Sequence, residues 1–128
     1  MFKWQYTIPL ETPSKKNSRV TNRSTGRSFP NKRYMDWHKA ALKILESQGI
    51  PQEPIKDKVY VVGFFTRGDR RRRDNNNSGA SILDLFVDAG ILADDNDEIV
   101  CDERWRKKGI KKGEPKAEIR IYPFEEWE

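Results

Sequence analysis

One stretch of this 128-residue chain is apolar enough to hold a sheet together from inside, and it runs almost directly into the most charged one. Residues 58–66 carry Val59, Tyr60, Val61, Val62, Phe64 and Phe65. A nearly continuous apolar run of strand length suits a central strand buried on both faces. Shortly after it comes Asp69-Arg-Arg-Arg-Arg-Asp74-Asn-Asn-Asn77. Hydrophobic and charged residues each make up 35% of the chain, so a single thin core is the most it can build. The fold is therefore expected to be organised round this strand, with the arginine run at its end, where α/β sheets place their ligands.

Other segments fill in a small α/β (α+β) domain spanning residues 1–128. Residues 2–10 alternate aromatic and polar side chains (Phe2, Trp4, Tyr6, Ile8) and read as a strand ending near Pro9. Residues 11–31 are rich in Ser, Asn, Lys, Arg and Pro and read as a long basic loop. Residues 32–48 repeat apolar positions at helical spacing (Tyr34, Trp37, Ala41, Leu42 and Ile44/Leu45), with Gly49 as the stop. A second helix is expected over 78–89, capped by Asn77 or Ser78 and ended by Gly90. Residues 98–105 and 117–122 complete a mixed sheet of about four strands, joined by a basic hairpin over 106–116. The expected order is β-α-β-α-β-β, with two main helices.

Charge is distributed unevenly. The net charge is +5 and the pI about 9.4, which favours an anionic partner. From Asp74 to Glu103 there are nine acids and no Lys or Arg, yet this block is flanked on both sides by basic runs. A protein that only coats DNA has little use for acids among its cations; a nuclease needs them to hold a cation against phosphate. The lone Cys101 excludes an intramolecular disulfide and fits a reducing compartment. With no apolar run of about 18 residues and no signal sequence, a cytoplasmic, membrane-free location is expected.

Arginine supplies planar, permanently charged donors for phosphate. Paired aspartates supply the hard oxygens that Mg²⁺ prefers. Asp74, Asp94 and Asp95 are thus candidate metal ligands, although each also suits a turn or a helix cap. Lys15, Lys16, Asn17 and Arg70 to Arg73 are candidate phosphate contacts. Geometry adds a constraint. A helix over 78–89 is about 18 Å long and separates Asp74 from Asp94 and Asp95. Either the chain after Gly90 runs back along the helix, or the site forms between two subunits.

These residues resemble the RusA family of Holliday junction resolvases, common in phages and prophages. Asp69-Arg-Arg-Arg-Arg-Asp74, followed without gaps by a helix ending in Asp88-Ala-Gly-Ile-Leu-Ala-Asp94-Asp95, is similar to the family's central motif in order and spacing. Pro13-Ser-Lys-Lys-Asn17 resembles its N-terminal element, and Tyr34-x-x-Trp37 its first helix. The resemblance spans Tyr6 to about Val100. It implies a homodimeric, Mg²⁺-dependent endonuclease (Mn²⁺ substituting) that nicks four-way DNA junctions in recombination and repair. It also implies that the dimer brings the active-site aspartates together. Asp74 matches the first catalytic aspartate and Asp95 the last, with Asp94 beside it; Asn77 agrees with a family asparagine.

Two positions depart. Asn76 stands where the family has aspartate, and Ala80 where it has lysine. An amide oxygen can ligate a hard cation but brings no charge and cannot act as a base, so Asn76 is expected as a neutral member of the catalytic set. The second expectation is a junction-binding protein without turnover, acting as an architectural or regulatory module. A general single-strand binder ranks third, because Phe29 is the one aromatic residue in the basic loop.

Overall fold

The apolar run does become the inner strand. The computed structural model describes residues 4–15 and 19–124. In chain order the elements are β1 (Trp4–Ile8), β2 (Arg19–Thr21), β3 (Ser28–Pro30), α1 (Lys32–Gln48), β4 (Val59–Arg67), α2 (Asn75–Asp88), β5 (Val100–Ile110) and β6 (Lys116–Pro123). Four of them form one mixed sheet in the order β1-β6-β4-β5, with β4 antiparallel to β6 and parallel to β5. The fold is thus the expected α+β domain of four main strands and two helices.

Three details differ from expectation. The basic segment 11–31 is not wholly irregular: β2 and β3 pair as a separate two-stranded ribbon. The last two strands are not a hairpin, because β4 lies between them and Arg106 to Ile110 continue β5. Residues 111–115 instead cross the end of β4. The Lys111 and Gly113 N–H groups donate to the Arg67 and Gly68 carbonyls (2.8 and 3.1 Å). The third difference concerns β4 itself, whose Val62 and Phe64 are only half-buried. Both helices serve one face of the sheet, α1 against β1 and α2 against β5. Among the described residues, the other face carries ladders such as Tyr60 stacked on Tyr122 (centroids 4.7 Å apart) and Arg120 over Phe64.

α1 has the expected bounds. Asn31 caps it, accepting from Tyr34 N at 2.8 Å, and Gly49 leaves it at φ 91°. α2 begins three residues earlier than expected, at Asn75, because Asp74 is the cap. Three consecutive asparagines are poor helix formers, which hides the true start. A carboxylate accepting two backbone N–H groups outweighs that.

α2 is seated on the sheet by one ring. Trp105 of β5 stacks on Phe65 (centroids 5.9 Å apart) and donates its indole N–H to Glu103 (2.9 Å). It lies in a slot formed by Gly63 of β4 and Gly79 of α2. A Cβ at either glycine would come within 2.3 Å of the ring. A rigid buried indole cannot yield, so Gly79→Ala must lift the first turns of α2. That overpacking is expected to destabilise the fold by about 1–3 kcal/mol in urea denaturation. Ala80→Lys on the exposed face beside it should stay within about 0.5 kcal/mol.

Candidate functional site

β4 ends on an arginine that turns inward. The Arg67 side chain is 2% exposed. Its Nη1 donates to Glu11 Oε2 (3.0 Å) and the Thr12 carbonyl (3.4 Å). Its Nη2 donates to Asn75 Oδ1 (2.9 Å) and Ser78 Oγ (3.2 Å), while the guanidinium carbon stands 4.4 Å over the Phe65 ring. Burial lowers the Arg67 pKa, and the Glu11 carboxylate works against it. The other Glu11 oxygen accepts from Gly68 N (3.0 Å) and lies 3.3 Å from Arg73 Nη2. One buried cation thus ties the end of β1's loop, the end of β4 and the first turn of α2 together. Such a charge is tolerable only with its donors matched, as they are here.

The arginine run hangs from this hub as a clamped turn. Asp69 accepts from Arg73 through both oxygens (2.8 and 3.2 Å) and from Arg71 N (2.8 Å). These bonds, the Arg73 one foremost, bring the Asp69 pKa down from its ordinary 3.8 to about 2. Arg73 is therefore spent inward. Arg70, Arg71 and Arg72 are exposed and form no ion pair among the described residues. Asp74 follows. Its Oδ1 accepts from Asn76 N and Asn77 N (2.9 and 3.2 Å), leaving Oδ2 without a donor among the described residues. Asp74 opens onto a cleft of about 730 Å³ lined also by Thr12, Arg33, Trp37, Arg71 and Arg72.

Asp94 and Asp95 sit elsewhere. α2 runs back from the end of β4 to its beginning, and the 89–99 loop remains there. Val59 N donates to the Ile99 carbonyl (2.8 Å), and Ile55 bridges to Leu92. Asp74 and Asp95 thus lie towards opposite ends of β4, a strand about 26 Å long at 3.3 Å per residue. The segment after Gly90 does not return along the helix. Asp94 is occupied locally, accepting from Asp95 N (2.7 Å) and Asn96 Nδ2 (3.1 Å). Asp95 is exposed, and its carboxylate meets no donor among the described residues. Within one chain the candidate ligands therefore fall into two separate groups.

Residues 9–122 match the family described as Endodeoxyribonuclease RusA. A curated relative, the crossover junction endodeoxyribonuclease RusA of Aquifex aeolicus (strain VF5), is 28% identical over 113 residues, covering 88% of this chain and 86% of its own. The chain belongs to the RusA family.

Within that family frame, both departures lie where they leave the fold intact. Asn76 and Ala80 are exposed, one turn apart on α2. Asn77 is half-buried, and Lys16 and Asn17 lie outside the described residues. Lys15 is engaged with Asp84 (3.1 Å), and His38 Nε2 with Asp88 (2.8 Å). His38, Asp84 and Asp88 offer ligating atoms within 4.8 Å of one another, and each carboxylate already faces a partner, Asp84 with Lys15 and Asp88 with His38. Cys101 is free and half-buried. No described helix is long and apolar enough to cross a membrane.

Sequence reasoning missed Glu11, Arg67 and Asn75. Two signals pointed to them: Glu11 is the lone acid before Asp36, and Arg67 continues a run that is otherwise apolar.

Two outcomes test this hub. Glu11→Ala leaves the buried Arg67 charge without its anion and should cost about 3 kcal/mol in chemical denaturation. Asp69 has a depressed folded pKa, so its contribution is complete above about pH 4 and is lost as pH falls towards 2. Asp69→Asn should remove that part of the acid slope in urea midpoints measured from pH 5 to pH 2.

Proposed function

We propose that this protein is a structure-specific endonuclease that nicks branched DNA, four-way junctions above all, as a homodimer. The observation that supports this best is the setting of Asp74. Its carboxylate is fixed through one oxygen by the α2 cap and is open through the other, at the rim of a cleft lined by Arg33, Arg71 and Arg72. An anion fixed through one oxygen and open through the other, beside cations without ion pairs of their own among the described residues, suits a cation-mediated phosphate site.

The donor chemistry fits a hard divalent ion such as Mg²⁺ or Mn²⁺. Asp74, Asp94 and Asp95 bring carboxylate oxygens and Asn76 an amide oxygen, and no sulfur or imidazole is among them. When bound, such an ion polarises the scissile phosphate and lowers the pKa of a water for attack. The chain's own residues do the rest. Arg70, Arg71 and Arg72 hold the backbone without reading bases. Glu11 and Arg67 hold the α2 cap against displacement when phosphate arrives. Because one chain keeps Asp74 and Asp95 towards opposite ends of a strand about 26 Å long, the working site draws Asp74 from one subunit and Asp95 from its partner. A two-fold dimer then has two equivalent sites and makes paired, symmetric nicks.

A second reading has its own support. Asn76 carries no charge, and Ala80 offers no donor to a leaving oxygen. A chain so altered binds junctions but turns over slowly or not at all, serving as an architectural or regulatory module.

A labelled synthetic four-way junction with Mg²⁺ or Mn²⁺ separates the readings. The nuclease reading expects paired nicks, reduced more than about 100-fold in Asp74→Asn, since even outer-shell changes at metal sites cost 10–100-fold. The module reading expects binding without nicks, with activity appearing in Asn76→Asp. No preference for the junction over linear duplex would defeat both. In either case affinity should fall about 10³–10⁵-fold between 50 and 200 mM salt.

A further inference from the structure

The β2–β3 ribbon is not used by the chemistry above, and its composition is peculiar. Every residue from Val20 to Phe29 is exposed. A two-stranded ribbon is marginal by itself and normally needs an apolar face packed on something. Here the turn is built with care. Asn22 N donates to the Arg27 carbonyl and Gly26 N to the Asn22 carbonyl, both at 2.8 Å. The Asn22 side chain accepts from Ser24 N (2.9 Å), and Gly26 takes the left-handed conformation (φ 70°). Val20 and Phe29 are direct cross-strand partners, so they share one face, and they remain 43% and 47% exposed. Arg23 and Arg27 flank the turn, and no acid occurs between Thr12 and Met35. β3 runs straight into Asn31 and Arg33, which line the Asp74 cleft.

We propose that this ribbon is a DNA-reading arm that enters the major groove of a duplex arm next to the cleft. Four properties fit that occupant. A two-stranded ribbon is one of the two elements the major groove admits, being about 12 Å wide. The arm projects roughly 13 Å from Pro30 to Gly26, at about 3.3 Å per residue. Its charge is purely cationic, as the groove's phosphate walls require. Its exposed Val20–Phe29 face finds apolar partners on the groove floor only in the thymine methyls. The arm would add base contact to a site whose other cations grip phosphate alone. This proposal rests on the DNA-binding reading above, and its test separates the two.

The probe is a four-way junction with A·T-rich arms, beside the same junction with every thymine replaced by uracil, both without divalent metal. Dissociation constants are measured for the parent, for Phe29→Ser and for Arg23→Gln/Arg27→Gln across a salt series. The parent should lose about fourfold per contacted methyl on uracil DNA, the value of one buried methyl group. Phe29→Ser should bind thymine DNA more weakly and become indifferent to the base change. The double arginine variant should keep the thymine preference while its salt slope flattens by about 2. If the parent prefers the junction but treats thymine and uracil alike, and Phe29→Ser binds as the parent does, the arm is overturned and the function stands. If Phe29→Ser separates the dimer in sedimentation, the ribbon is a subunit contact and the proposal fails. A parent that binds neither junction nor duplex removes both readings.

Discussion

The arrangement depends on one buried guanidinium. Arg67 sits where the best strand ends, and its donors reach the 11–12 loop, Asn75 and Ser78. Without it, the acceptors carried by the 11–12 loop and by the first turn of α2 would have no common donor. Glu11 is the counter-ion that makes the burial tolerable, and it uses its second oxygen to hold Gly68 and Arg73. The clamp of Asp69 on Arg73 and the cap of Asp74 on α2 then follow along the chain. The exposed arginines and the free Asp74 oxygen are what this hub leaves over for a ligand.

The same connectivity that sets Asp74 beside the hub keeps Asp94 and Asp95 away from it. A strand, a helix running back and a second parallel strand must place the start of α2 and the loop after it at opposite ends of the sheet. No local adjustment closes about 26 Å, which is the length of β4. Under the proposed function a partner subunit supplies the missing acid, and paired symmetric sites follow from the same proposal. Asn76 and Ala80 both face solvent, and neither supports the hub.

Much of this was legible in the sequence, and the failures have physical causes. α1 could be read to its ends because an apolar stripe at helical spacing runs up to Gly49. The separation of Asp74 from Asp95 was legible as a helix length, though which of two remedies applied was not. The start of α2 was misplaced because low-propensity asparagines fill its first turn, and a cap is decided by geometry rather than propensity. The final hairpin was misread because short connection length suggests adjacent pairing, whereas residues 111–115 step over β4. Arg67 and Glu11 went unnoticed because burial of a charge is a tertiary property; 56 residues separate the two partners. The ribbon was taken for loop because three-residue strands of Arg, Val, Thr, Ser, Phe and Pro carry too little periodicity to register.

The central claim, that each working site takes Asp74 from one subunit and Asp95 from the other, is open to a direct measurement. Asp74→Asn and Asp95→Asn proteins would be prepared separately, mixed under conditions that exchange subunits, and assayed on a labelled four-way junction. An Asn76→Asp background would be used should the unaltered chain not cut. The account predicts that each protein alone is inactive and that the mixture regains cleavage, because the mixed dimer contains one intact site and one doubly altered one. The products should be single nicks rather than symmetric pairs. A mixture as inactive as its parents, with subunit exchange verified, would place both aspartates of each site in the same chain and contradict the account.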